Sequence, residues 1–391
     1  MTSPIIVVGA GQAGAQAIQS LRQGGYEGPL ALIGSEPHLP YQRPPLSKKF
    51  LTFDTDEERL LLRPAAMYDE LKVEVILGKP ATQLDTTHHT LRLLDGRELT
   101  YSKLILTTGM RPRPLSIPGV DMPGVVMLRS LMDAALIRSQ LVPGKNVVVI
   151  GGGYIGLEVA AVARGLGLNV TVLEAAERVL GRVVAPDVSA FFTQLHRGRG
   201  IDLRVSTGVL AIEGGARVEA VVLADGSRIP ADLVLVSIGA LPETTLAQTA
   251  GLDVADGIRV DHEACTSALD VYAAGDCARF QSGRYGRSIR LESVQNAIDQ
   301  AKTVAMSILG QSPVYDPVPW FWSDQYDVKL QIVGLSHGYD TIHIDGDPAA
   351  NAFSVAYVGA GKLLAVDSIN HARRHMQSRK MIGEPWTGWM G

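Results

Sequence analysis

Pro4-Ile5-Ile6-Val7-Val8-Gly9-Ala10-Gly11-Gln12-Ala13-Gly14 is the stretch around which the chain is organised. Ile5 to Val8 is an unbroken apolar run, the pattern of a strand buried on both faces. It breaks into G-x-G-x-x-G. The segment that follows sets Ala17, Ile18 and Leu21 at helical spacing. A second apolar run, Pro29 to Ile33, ends at Ser35-Glu36. Strand, glycine turn, helix, strand and acid together make a dinucleotide-binding unit. Gly9 makes the tight turn, Gly11 admits a pyrophosphate against the backbone, and Gly14 lets helix and strand pack closely. The helix start offers unpaired N–H groups and the positive end of a dipole to the phosphates. Glu36 stands where a carboxylate holds ribose hydroxyls.

The pattern recurs. Asn146 to Ile150 is another apolar strand, followed by Gly151-Gly152-Gly153-Tyr154-Ile155-Gly156. A helix through Leu157, Val159, Ala160 and Val162 comes next, then a strand from Asn169 to Leu173 that ends in Glu174. Each half continues into a small meander and closes on a strand with small residues and glycine: Leu104 to Gly109 in the first, Leu233 to Gly239 in the second. This is an internal duplication at a period of roughly 130–140 residues, too long for a solenoid. Two such units predict two bound dinucleotides.

The 391 residues favour two or three domains. With 46% hydrophobic and 19% charged residues and a net charge of −4, the composition is globular and gives no basis for binding nucleic acid. No apolar run approaches the ~20 residues of a membrane span. No basic leader with a cleavage site precedes the first strand, so a cytoplasmic location is expected. Cys265 and Cys277 are the only cysteines and do not form C-x-x-C. Neither a structural disulfide nor an iron–sulfur cluster or other metal centre is expected of them.

Prolines stiffen the loop His38 to Lys49, which carries Arg43 and Lys48 directly after the ribose-binding acid. These cations are either held near a cofactor or solvated, and Ser47 could cap a short helix. Residues 54–63 read as a surface excursion. Short strands are expected at 73–77 and 90–94, with a turn at Asp95-Gly96. Val271 to Ala274 is a strand ending in Gly275-Asp276; an acid at a strand's carboxyl end suits a cofactor contact. A helix is expected from Glu292 to about Ile308. A linker at 310–319 leads to a third region opened by Trp320 to Tyr326, with strands at 329–333 and 353–358 and a helix near 373–381.

Taken together, GAGQAG, YQRPPLSK, TTG, GGGYIGLE, AAGDCA, ESVQNA and WFWSDQYD, in that order, resemble the FAD-dependent, NADH-using ferredoxin and rubredoxin reductases of oxygenase systems, the putidaredoxin reductase-like family. The resemblance spans essentially the full length. It implies an α/β fold of glutathione-reductase type, with two Rossmann-like domains and a C-terminal α+β domain. The FAD domain would be split into residues 1–112 and 244–319. The NAD domain would occupy 113–243, and the C-terminal domain 320–391.

Carried over by position, the resemblance places Gly9, Gly11, Ala13 and Gly14 along the FAD pyrophosphate and Glu36 on the ribose. Relatives often carry Asp before that acid; here Ser35 precedes it, so Glu36 acts alone. Arg43 would contact the pyrophosphate, and Lys48 the edge of the flavin that accepts hydride. Ala81 would lie by the adenine, Thr108 and Gly109 by the cofactor, and Arg129 near the flavin. Gly275, Asp276, Ser293 and Val294 would line the ribityl chain and ring; some relatives have Trp in place of Val294. Trp322 would approach the isoalloxazine, or else serve as core packing. For NADH the implied residues are Gly151, Gly153, Tyr154, Ile155, Gly156, Glu174, Arg182 and Gly239, with Glu292 on the carboxamide. Glu158 would pair with Lys48 beside the nicotinamide, giving two catalytic residues; as a helix-start acid it also suits the dipole. A carboxylate at Glu174 disfavours a 2′-phosphate, and hence NADPH, although Arg178 and Arg182 lie close in sequence.

The expected activity is thus an NADH:ferredoxin oxidoreductase passing electrons through FAD to a small iron–sulfur ferredoxin, with two irons and two sulfurs, that feeds an oxygenase such as a cytochrome P450. A rubredoxin reductase is an alternative, and so is an NADH-binding flavoprotein of apoptosis-inducing-factor type. A disulfide reductase would need a thiolate beside the flavin, and residues 36–60 contain no cysteine. Arg279, Arg284, Arg287 and Arg290, and again Arg373, Arg374, Arg379 and Lys380, concentrate positive charge in an acidic chain. They suggest a basic docking face for an acidic ferredoxin, or solvated surface. A monomer or weak homodimer is expected.

Overall fold

Residues 3–389 are described by the computed structural model. They form two compact units. The first takes the chain up to Gln42, Glu57–Arg111 and Leu241–Pro319; the second takes Arg43–Asp56, Pro112–Ala240 and the chain from Trp320 onward.

In the first unit a five-stranded parallel sheet runs in the order Val271–Ala273, Lys103–Leu106, Ile5–Val8, Leu30–Ile33, Val73–Ile76. All residues of Ile5–Val8 and Leu30–Ile33 are buried, as strands covered on both faces must be. The helix Gln12–Gln23 buries Ala17, Ile18 and Leu21, as its spacing predicts, in one core with Val304 and Ala301 of the helix Val294–Ile308. Its end is fixed by Arg22, which donates to the carbonyls of Tyr26, Gly28 and Leu71. A cation in the last helical turn also opposes the negative end of the dipole. The meander Ala81–Asp85, Thr90–Leu93, Glu98–Thr100 completes this half, with Gly96 in the left-handed region at the turn.

The second unit repeats the plan. Its parallel sheet is ordered Asp202–Arg204, Asn169–Leu173, Asn146–Ile150, Leu233–Val236, Val125–Val126, beside the meander Val209–Gly214, Val218–Leu223, Arg228–Pro230. The two five-stranded sheets superpose in order and sense except in the origin of the fifth strand. In one sheet it comes from far downstream; in the other it precedes the first strand. The same unit carries a five-stranded antiparallel sheet, Trp320–Gln325, Val328–Gly334, Lys362–Ile369, Ala352–Gly359, Thr341–Asp347, with the helix Ala372–Ser378 packed on it. The fold is therefore the expected mixed α/β.

Several local expectations change. The helix expected from Glu292 starts at Val294, because the Ser293 hydroxyl accepts from Asn296 N–H and caps it. Ser47 lies inside the 3₁₀ turn Pro44–Ser47 and caps nothing; its hydroxyl is used elsewhere. Residues 54–63 are not wholly a surface excursion, since the short helix Glu57–Leu60 buries Leu60 and the loop bridges back to Tyr41. Among the described residues no helix is long and apolar enough to cross a membrane.

Candidate functional site

Both glycine turns have the same steric logic. A Cβ on Gly9 (φ +119°) would lie 2.2 Å from the Thr107 carbonyl oxygen, and one on Gly14 2.1 Å from the Gly9 carbonyl. In the second turn a Cβ on Gly151 (φ +111°) would meet the Ser237 carbonyl at 2.3 Å, and one on Gly156 the Gly151 carbonyl at 2.3 Å. Real Cβ atoms cannot come this close, so first and third glycines are required by packing. The middle glycines differ. Gly11 and Gly153 face open space within 4 Å, and each is the N-cap of its helix with no side chain capping it. The N–H groups there are left for a ligand, and a side chain would occupy the space a pyrophosphate needs. On this geometry each turn fits a dinucleotide.

Around the first turn, Ala13 comes within 3.1 Å of a Cβ built on Gly275, whose own N–H donates to Gln300 Oε1. The strand-end Gly275-Asp276 is thereby brought against the glycine turn. The Tyr41 hydroxyl donates to Glu36 Oε2 at 2.6 Å and orients that acid. Thr108 donates to the Glu243 carbonyl, and Gly109 accepts from Glu243 N–H. Ala81 begins its meander strand. Arg290 donates to the Asp276 carbonyl and to Glu292 Oε1, so Glu292 is already ion-paired. Ser293 and Val294 open the long helix.

Around the second turn, Glu174 accepts from Gly152 N–H at 2.7 Å and Ala176 N–H at 2.8 Å, bracing the loop. Gly239 lies 3.4 Å, by its would-be Cβ, from an Arg182 guanidinium nitrogen. Arg178 is committed to its own loop through the Val184 and Gly181 carbonyls. Ile155 is exposed, whereas the Tyr154 ring packs on Phe321 with centroids 4.8 Å apart. The Tyr154 hydroxyl is buried with no hydrogen-bond partner among the described residues. Burial, and then the charges of Asp367 and Glu158, hold its ionisation well above the usual phenol range.

Within this unit Lys48 and Glu158 meet. Lys48 Nζ lies 2.6 Å from Glu158 Oε2, with the lysine 18% and the glutamate 4% exposed. Two hydroxyls complete the carboxylate shell: Ser47 donates to Oε2 at 2.5 Å and Ser323 to Oε1 at 2.6 Å. A buried carboxylate survives only with such partners. Arg43 donates to the Arg129 carbonyl at 2.7 Å, bringing two further expected residues together. Trp322 is half-buried and stacks on Trp320 at 5.6 Å.

Ser47 and Ser323 were not foreseen as partners of Glu158. The signal for Ser323 is the strand Trp320–Gln325, where the inward alternation falls on Ser323 and Gln325 instead of apolar residues. The cysteines carry no signal for thiol chemistry. Cys277 is fully buried and raised by burial; Cys265 is pushed up to about 11 by burial and then by Asp261 and Glu263. Of the basic concentrations, Arg279 and Arg290 pair with Asp256, and Arg374 with Asp345.

Comparison with known proteins agrees with this geometry. Residues 3–301 match the family model described as pyridine nucleotide-disulphide oxidoreductase, and residues 320–386 match the reductase C-terminal model. The chain is 44% identical to the 5,5'-dehydrodivanillate O-demethylase ferredoxin reductase subunit of Sphingobium sp., over 96% of this chain and 92% of the relative. It is 40% identical to a rubredoxin-NAD(+) reductase of Ectopseudomonas oleovorans, over 95% and 96%. The reductase in a covalent putidaredoxin reductase–putidaredoxin complex superposes with a TM-score of 0.95 at 43% identity, over 97% of this chain and 93% of that one. The chain belongs to the pyridine nucleotide-disulphide oxidoreductase family and also carries a reductase C-terminal region.

Proposed function

We propose that this chain is a flavoprotein reductase that takes electrons from NADH, through FAD, to a small two-iron, two-sulfur ferredoxin serving an oxygenase. The observation that carries this reading is the pair of open glycine turns, joined in one chain with the ion pair of Lys48 and the buried Glu158 and no thiol poised to react. FAD, when bound, supplies the link between a two-electron donor and a one-electron acceptor.

The residues divide accordingly. Gly9, Gly11, Ala13 and Gly14 receive the FAD pyrophosphate with Arg43. Glu36 takes the ribose, and Ala81, Thr108, Gly109, Arg129, Gly275, Asp276, Ser293, Val294 and Trp322 surround the rest. Gly151, Gly153, Tyr154, Ile155, Gly156, Gly239 and Arg182 receive NADH, with Glu292 on its carboxamide. Glu174 takes the adenosine ribose, where its charge repels a 2′-phosphate. Lys48 holds a positive charge for the flavin edge, and Glu158 keeps that ammonium in place. The domain limits 1–112 with 244–319, 113–243 and 320–391 follow this division. The positive charge of Arg279, Arg284, Arg287 and Arg290 in the first unit, and of Arg373, Arg374, Arg379 and Lys380 in the second, steers encounter with an acidic ferredoxin.

Purified protein should be yellow. It should reduce cytochrome c with NADH only when a ferredoxin is added, and far less well with NADPH. A colourless protein that takes up no flavin, or a rate indifferent to ferredoxin, overturns the reading.

A further inference from the structure

Beyond the ion pair, a line of buried polar groups runs away from Glu158. The Ser323 hydroxyl that donates to Glu158 Oε1 at 2.6 Å receives Gln325 Nε2 at 3.2 Å. Gln325 Oε1 lies 2.7 Å from His196 Nε2, and the Tyr326 hydroxyl 3.5 Å from His196 Nδ1. Ser323, Gln325 and His196 are each at most 1% exposed. Three buried polar side chains in succession, on the strand Trp320–Gln325 and the helix Pro186–Gly198, are costly unless each is satisfied.

Their directions are determined by chemistry. An ionised carboxylate only accepts, so the single Ser323 proton goes to Glu158. Ser323 Oγ then has only lone pairs to offer, and it must meet the NH₂ side of Gln325. Turning that amide over would set carbonyl oxygen against hydroxyl oxygen with no proton between them. The Gln325 carbonyl therefore faces His196 and requires a proton on Nε2, leaving Nδ1 to accept from Tyr326. Burial lowers the His196 pKa, which keeps the ring in this neutral form. Every donor in the line points toward Glu158.

We propose that Ser323, Gln325 and His196 are positioning residues that hold the Glu158 carboxylate, and through it the Lys48 ammonium, by this one-way hydrogen-bond chain. With Oε1 pinned by Ser323, Oε2 is presented to Lys48 and Ser47. The role assigned to the ion pair rests on the reductase reading; the polarity of the chain does not.

The test has two arms on the holoenzyme. In ¹⁵N-resolved NMR, His196 should be a neutral Nε2–H ring with a slowly exchanging proton. That signal should persist in Lys48→Ala and be lost in Gln325→Met. A Nδ1–H tautomer, or an imidazolium at neutral pH, overturns the proposal whatever the enzyme does. In single-turnover reduction of the flavin by NADH, Ser323→Ala should be about tenfold slower at saturation, with NADH affinity unchanged, and Ser323→Thr should restore the rate. Placed on Lys48→Ala, Ser323→Ala should add almost nothing. A wild-type rate in Ser323→Ala, or an equal loss on both backgrounds, shows that the serine does not act through Lys48. If no ferredoxin is reduced but the Nε2–H signal behaves as stated, the reductase reading fails and the chain polarity stands.

Discussion

The two glycine turns are copies in geometry and opposites in chemistry. Each forbids a Cβ at its first and third glycine and leaves the middle one open. Two residues beyond the last glycine the copies part. The first has Gln16, whose amide is spent on Ser20 one turn along its own helix. The second has Glu158, buried and bound to Lys48, Ser47 and Ser323. The same contrast holds at the helix start, where Gln12 stands in one and Tyr154, half-buried with its hydroxyl enclosed near Glu158 and Asp367, in the other. A duplicated frame thus preserves what phosphate binding demands of the backbone. What reacts is decided by the few side chains the frame leaves unconstrained.

The largest effects should separate the copies. Gly9→Ala should abolish flavin incorporation, and Gly151→Ala should leave flavin bound but abolish NADH binding, since each forces a Cβ onto a carbonyl oxygen. Absorbance and equilibrium titration check this; loss of both ligands in either variant would break the comparison. Next, Lys48→Ala should slow flavin reduction by about 10²-fold, the scale of one positioned electrostatic group. Gln16→Ala, at the matching place in the first helix, should change neither rate nor stability by more than about 0.5 kcal/mol. Stopped-flow absorbance and urea unfolding measure these.

A subtler difference lies in pH. Asp367 is fully buried and is pushed up to about 7, burial being the main cause, with the Tyr357 hydrogen bond acting the other way. Its folded-state value exceeds the ordinary 3.8. The stability it contributes is therefore complete below about 4 and lost as pH rises toward about 7. His375, lowered to about 4 by burial and then by Arg379, acts in the opposite sense. Its contribution is present above its ordinary value of 6.5 and lost as pH falls toward about 4. Asp367→Asn removes the first slope, so its stability relative to wild type should climb between pH 4 and 7; a flat difference would contradict the assignment. The smallest effect is expected of Arg287→Glu, a few-fold slower ferredoxin reduction at low salt that vanishes at high salt.

The repeated frame was legible because its signals are local. Apolar runs such as Ile5–Val8 and Asn146–Ile150 and glycines at set spacing each dictate a backbone shape. The helix Leu131–Gln140 went unread, although Ser130 and Asp133 form a capping box at its start. The strand Thr341–Asp347 was not read either, because at the sheet's edge it is mostly exposed and its alternation, Ile342 and Ile344, gives way at once to Asp345-Gly346-Asp347. Least legible was the shell of Glu158. Ser47, Ser323, Gln325 and His196 are polar residues whose burial depends on contacts between segments far apart in the chain; the alternation along Trp320–Gln325 hints at Ser323 and Gln325, but nothing beside Ser47 or His196 announces theirs.

The origin of the fifth strand bears on how the chain folds as it is made. The sheet containing Asn146–Ile150 has all five strands once Leu233–Val236 has emerged. The sheet containing Ile5–Val8 must wait for Val271–Ala273, which pairs with Lys103–Leu106. At about 5–20 residues per second that wait is on the order of ten seconds. Throughout it Lys103–Leu106 presents an unpaired, apolar edge to other nascent chains. The later-synthesised parallel sheet should close first, and the earlier one should be the sheet that depends on chaperones.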